Sequence, residues 1–222
     1  MAPEMLFSLL WKSLLQTMQM VIVSGLVGTL IGLPIGVFLA TSNRGELFPA
    51  PFANRVIGAI VNATRSTPFI ILVVAIIPFT RLIAGTSIGT NAAIVPLTIA
   101  TIPFIARLIE ASIREVDKGL IETARAMGAT PVQIVRKVLL PEALPSIVLA
   151  LTLTLVSLVG YSAMVGAVGG GGLGDLGIRY GYQRFMPEVM VAVVVVLIVL
   201  VQAIQSAGDA LARRFDKRSR KN

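Results

Sequence analysis

Five stretches of this chain, approximately Thr17 to Ala40, Val56 to Phe79, Asn91 to Leu108, Leu144 to Val168 and Pro187 to Ala207, are long and apolar enough to cross a bilayer as helices. A hydrocarbon core of about 30 Å needs roughly 20 residues at about 1.5 Å of rise each. Backbone polar groups in lipid must also bond within the chain. The runs therefore predict an all-α integral membrane protein with five transmembrane helices. Composition agrees: 55% of the 222 residues are hydrophobic, mean hydropathy is +0.87, and only 14% are charged, against about 25% in soluble domains. That length suits one membrane domain and leaves no room for a nucleotide-binding domain of ordinary size.

The basic residues orient the spans. Arg44, Arg55, Arg107, Arg114, Lys118, Arg125, Arg136, Lys137 and six residues of the C-terminal tail (Arg213, Arg214, Lys217, Arg218, Arg220, Lys221) fall on one side; Lys12, Arg81, Arg179 and Arg184 fall on the other. Positive charge marks the cytoplasmic face, so the C-terminus is expected in the cytoplasm and, with an odd span count, the N-terminus outside. The net charge of +8 is explained by a tail held against an anionic leaflet, with no nucleic-acid partner. Arg65 is left over inside the second run, where Ser66-Thr67-Pro68 predicts a helix start or break that lets it snorkel or face protein, against a direct role in the translocation path.

The chain has no Cys and no His, which removes disulfides, thiolate nucleophiles, imidazole bases and the usual zinc sites. Glu4 stands where a signal peptide would carry basic residues, so the first 16 residues are read as an uncleaved interfacial helix built on Leu6, Leu9, Leu10 and Leu14. Acidic residues are nearly absent from the spans, unlike carriers that bind a coupling ion in the membrane. Gly28, Gly32 and Gly36 form a small-xxx-small ladder, which serves either packing within the subunit or a dimer face. The GGGGLG run at 169–174 fits a dinucleotide fingerprint by letter but follows an apolar helix instead of a strand; a close-packed extracellular re-entry with glycines at positive φ is expected. No phosphate-binding G-x-x-x-x-G-K-[ST] loop occurs. Near the outer end of the fourth span, Tyr161, Ser162 and Met164 are candidates for the translocation path or its gate, against a plain packing role.

The stretch Glu122 to Pro141, ETARAMGATPVQIVRKVLLP, is the one polar interruption long enough to be a structured element. Leu120, Ile121, Ala124 and Met127 fall on one helical face, with Glu122 and Arg125 pointing away. Gly128 suits the left-handed position past a helix end. Thr130-Pro131-Val132-Gln133 then carries an N-cap, an N1 proline and a capping-box glutamine, and Pro141 is expected to end the second helix. Glu122, Ala124, Gly128, Val138, Leu140 and Pro141 stand at the spacing E-x-A-x₃-G-x₉-V-x-L-P. This pattern resembles the coupling-loop signature of the membrane subunits of ATP-driven (ABC-type) importers, with Thr123 in place of the first alanine and Val138 in place of isoleucine.

Four tracts extend the likeness over nearly the whole chain: RSTPFIILVVAIIPFTRLIAGTSIG, AAIVPLTIATIPFIARLIE, GATPVQIVRKVLLPEALP and LVGYSAMVGAVGGGGLG. They are similar to the permease subunit of the bacterial methionine importers, a type I importer fold. The resemblance implies a homodimer in the bacterial inner membrane, with a cytoplasmic coupling-helix hairpin on each subunit. It further implies two ATP-binding subunits docked on Glu122, Ala124, Gly128, Leu140 and Pro141, and a methionine-binding lipoprotein outside. ATP and magnesium would then belong to the partner ATPase and no cofactor to this chain, which is no enzyme. The expected organisation is an interfacial helix at 1–16, a transmembrane domain at 17–209 with its coupling loop at about 114–141, and a basic cytoplasmic tail at 210–222. A permease for another small amino acid, and a self-sufficient channel or secondary carrier, remain as alternatives.

Overall fold

The computed structural model describes residues 3–215, and among them there are helices and no strands. The order is α1 (Pro3–Thr41), α2 (Pro51–Ser66), α3 (Phe69–Ala75), α4 (Ile77–Ala84), α5 (Thr90–Arg114), α6 (Lys118–Ala126), α7 (Pro131–Ile134), α8 (Leu140–Val165), α9 (Gly172–Leu176) and α10 (Pro187–Phe215). Four helical stretches are long and apolar enough to cross a membrane, and a fifth span exists if α2 and α3 count as one broken element. The second apolar run, Val56 to Phe79, thus carries the break expected at Ser66-Thr67-Pro68. Pro68 cannot donate to the preceding turn and drives Thr67 out of the helical region, so the chain stops at Ser66 and restarts at Phe69.

The chain divides into two compact units, each drawing on the same long helices. The first comprises residues 1–28, 67–101 and 154–205. Its core joins Met20, Val21, Val73, Ala93, Leu97, Leu158, Val159 and Val165, and a second cluster joins Leu173, Leu176, Val189 and Val193. Leu6, Leu9, Leu10 and Leu14 pack against that second cluster. The N-terminal segment is continuous with the first span, since α1 runs unbroken from residue 3 to 41, and its leucines are partly buried against protein. Trp11 and Phe7 on the opposite side stay exposed. The glycine-rich segment of this unit turns back as expected, with positive φ at Gly169, Gly171 and Gly172. At Gly166 a Cβ would meet the Asp175 nitrogen at 2.5 Å, so the turn closes only on glycine. Two groups of α1 hold it: Gln16 Oε1 accepts from the Gly172 N–H at 3.0 Å and Thr17 Oγ1 from the Leu173 N–H at 2.9 Å.

The second unit comprises residues 29–66, 102–153 and 206–222, of which Lys217, Arg218, Arg220 and Lys221 in the expected basic tail lie outside the described residues. Arg213 and Arg214 are exposed in the last turn of α10, which runs on to Phe215. Gly32 and Gly36 pack against α5. A Cβ on Gly36 would lie 2.6 Å from the Ala106 carbonyl oxygen and 2.7 Å from Ile109 Cβ. At these two positions the ladder serves packing within the subunit, letting backbones approach where lipid gives no hydrophobic drive. Glu110, 9% exposed at its side chain, pairs with both Arg107 and Arg114 on its own helix.

Candidate coupling hairpin and path-facing residues

The polar stretch folds into two short helices whose ends are closed by their own residues. Asp117 caps α6, accepting from the Gly119 N–H at 2.6 Å. At the far end Gly128 adopts φ +81°, its N–H donates to Arg125 O, and the Ala129 N–H donates to Ala124 O at 3.0 Å. This paired bonding is a Schellman closure, satisfying carbonyls that the helix end would leave orphaned. Thr130 and Gln133 form a reciprocal capping box, with the Thr130 N–H donating to Gln133 Oε1 at 2.8 Å and Pro131 in the first turn. Every local signal in the sequence between 128 and 133 is realised.

Inside the hairpin, Ala124, Ile134, Val135 and Leu139 join a core with Leu47, Ile109, Ile113 and Ala143, and Ile121, Val138 and Leu140 pack at its edge. The signature therefore divides by role: Ala124 and Leu140 anchor the hairpin to the body of its unit, while Glu122 and Pro141 stay exposed. The expected single apolar face is corrected at two positions. Met127 is 77% exposed and Leu120 42% exposed, since α6 ends at Ala126 and Met127 already turns away as its cap. With Val132, also exposed, they leave three large apolar side chains on the outer surface of the hairpin beside Glu122 and Arg125.

Pro141 does not end the second helix. The chain stays helical past the proline, from Pro131 to Val165, because a π-helical turn over Val135–Leu139 precedes it, with the Leu140 N–H donating to Val135 O. Changing the bonding register just ahead of the proline removes the clash and the missing bond that would otherwise break the helix. The hairpin and the fourth span are thus one rod.

A cleft of about 360 Å³ lies beside α6, lined by Glu46, Arg114, Lys118, Glu122 and Arg125 over a floor that includes Leu47, Ile113 and Leu139. Sequence spacing gave no hint of it, because Glu46 belongs to the loop after α1 and reaches the hairpin only through the fold.

The three residues named for a path or gate differ in burial. Ser162 is 1% exposed and donates to Val159 O at 2.7 Å; Tyr161 is half-buried with its ring stacked on Phe69 at 4.5 Å; Met164 is 48% exposed. Ser162 turns about 100° away from Tyr161 and packs inward, whereas Tyr161 and Met164, at i and i+3, share a side of the helix and differ in exposure. Met164 instead continues an exposed row along α8 with Leu149, Leu153 and Gly160, spaced four, seven and four apart. No side chain approaches the open Cα of Gly160. Arg65 ends α2, exposed beside the helix break the sequence called for.

An all-helical fold with four to five candidate spans and a doubly capped polar hairpin defines a multi-span membrane protein of the permease type. Residues 32–221 match the family of binding-protein-dependent transport system inner membrane components, and the chain belongs to that family. It is a transport subunit and not an enzyme. Among its relatives, the probable D-methionine transport system permease protein MetI of Vibrio cholerae serotype O1 is 60% identical over 203 residues, 91% of this chain and 90% of the relative. The D-methionine transport system permease protein MetI of Escherichia coli K12 is 56% identical over 163 residues, 73% of this chain and 75% of the relative. A solved chain of the MetNI methionine ABC transporter in an inward-facing conformation matches with a TM-score of 0.95 and 54% identity, over 98% of this chain and 100% of that one.

Proposed function

We propose that this chain is the permease subunit of an ATP-driven importer that carries methionine, L- and D-forms, across the bacterial inner membrane. The observation that carries the reading is the capped hairpin at 117–134, fixed on its unit by Ala124 and Ile134 and presenting Leu120, Met127 and Val132 outward. Exposed apolar groups of this size on a polar element suit a protein partner. The likeness to methionine permeases over most of the chain supports the cargo. In this reading two copies form the path, an ATP-binding subunit docks on each hairpin, and a methionine-binding lipoprotein delivers cargo outside. ATP and magnesium sit on the partner, and no cofactor on this chain.

Coupling runs through the rod. A partner that closes on ATP tilts the hairpin, and the continuous helix from Pro131 to Val165 passes that tilt to Met164, next to the glycine re-entry. Purification of the chain in mild detergent should retain one ATP-binding chain per copy; a chain that purifies alone while remaining dimeric and folded would argue for a self-sufficient carrier. The orientation, N-terminus outside and C-terminus cytoplasmic, rests on the basic bias. In this cysteine-free chain Ser87→Cys should label only from outside and Thr130→Cys only from the cytoplasm. Labelling in the opposite sense reverses the topology.

A further inference from the structure

Helix α2 exposes two arcs of opposite character. Phe52, Val56 and Ile60, four apart, form one that is apolar, and Phe52 is 82% exposed. Arg55, Asn62, Arg65 and Ser66 form the other, which is polar and also exposed, while Val61 and Gly58, one and two turns before Arg65 on its side of the helix, are buried. The apolar arc suits lipid. The polar arc does not, because a guanidinium facing hydrocarbon is strongly disfavoured; it requires water or protein.

Two donors on that arc stand one turn apart. Arg65 makes no ion pair or hydrogen bond among the described residues. Asn62 is oriented from behind: its Oδ1 accepts from Arg107 Nε at 3.1 Å, Arg107 Nη2 donates to Gly58 O at 3.2 Å, and Arg107 Nη1 pairs with the buried Glu110. With its oxygen committed to Arg107, Asn62 presents away from that contact its NH₂ group, which has no partner among the described residues. Glu110 pairs with Arg107 and also with Arg114, whereas Arg65 has no carboxylate partner among the described residues. An amide N–H and a guanidinium at i and i+3 are the donor set for a carboxylate.

We infer that Asn62 and Arg65 form a carboxylate-binding station on the path wall, taking the α-carboxylate of the transported amino acid, with Arg107 and Glu110 as positioning residues. The inference rests on the amino-acid importer reading above. It gives α2, an element without a part in the coupling hairpin, a direct contact with cargo.

The test uses the whole transporter: this chain with its ATP-binding partner and binding protein in liposomes, with radiolabelled L-methionine as probe and uptake per ATP hydrolysed as readout. Arg65→Gln should lower that ratio about tenfold or more, the scale of one hydrogen bond to a charged group, and Arg65→Lys should keep most of it. Asn62→Asp separates function from folding. It preserves the oxygen that Arg107 uses, so the melting temperature should hold, yet it meets the cargo with a like charge and should depress uptake as strongly. Normal uptake per ATP in Arg65→Gln and Asn62→Asp would overturn the station. So would a loss seen only in vesicles containing anionic lipid and absent in phosphatidylcholine vesicles, which would make the arc a headgroup site. If the unsubstituted complex moves no amino acid at all, the importer reading fails and the station fails with it.

Discussion

At the scale of single residues, conformation separates the positions that hold the hairpin from those that face outward. A Cβ at Gly128 would touch nothing within 4 Å, yet its φ of +81° penalises any L side chain. The cost is roughly 1 kcal/mol for alanine and more for a β-branched residue. Gly128→Val should therefore leave expression and dimerisation intact while reducing the ATP-binding chain retained on purification and uptake together. Gly128→Asn, which tolerates the left-handed region, should stay close to wild type. On α8 the contrast is between neighbours. Met164→Ala should open a leak or uncouple hydrolysis from uptake, since an unbranched thioether seals a gap and can still move aside, and Met164→Leu should be mild. Ser162→Ala removes one local bond to Val159 O, worth about 1 kcal/mol, and should leave transport coupling unchanged. A Met164→Cys chain that never crosslinks to its partner copy in any nucleotide state, together with normal coupling in Met164→Ala, would assign Met164 to lipid or core.

At the scale of elements, close helix contact in the second unit depends on glycine. Gly36→Val would drive side-chain atoms into the Ala106 carbonyl and Ile109, an overpacking cost of about 1–3 kcal/mol. A lowered melting temperature in detergent is the expected result; unchanged melting would mean that α1 and α5 separate freely. Local chemistry was legible in the sequence wherever it is closed within a few residues: the Schellman glycine, the Thr130–Gln133 box, the break before Pro68 and the re-entrant glycines. What depends on partners distant in sequence was not. Gln16 and Thr17 meet the loop at 172–173 from 156 residues away, and no periodicity announces such a cap. Pro141 misled because a π turn, which leaves no composition signal, absorbs it. Tyr161, Ser162 and Met164 were grouped by adjacency, although at about 100° per residue Ser162 turns away from the side that Tyr161 and Met164 share.

At the scale of the whole molecule, the claim is that a permease without an ATP site of its own is driven through a hairpin by a partner that has one. The family membership and the continuous helix from Pro131 to Val165 both fit a subunit moved from outside. The most direct measurement is methionine flux into liposomes holding this chain with its binding protein, with and without the ATP-binding partner. The account predicts accumulation only when that partner and ATP are both present, and its loss in Gly128→Val at equal protein. Methionine flux through this chain alone, unaffected by ATP or by Gly128→Val, would contradict it.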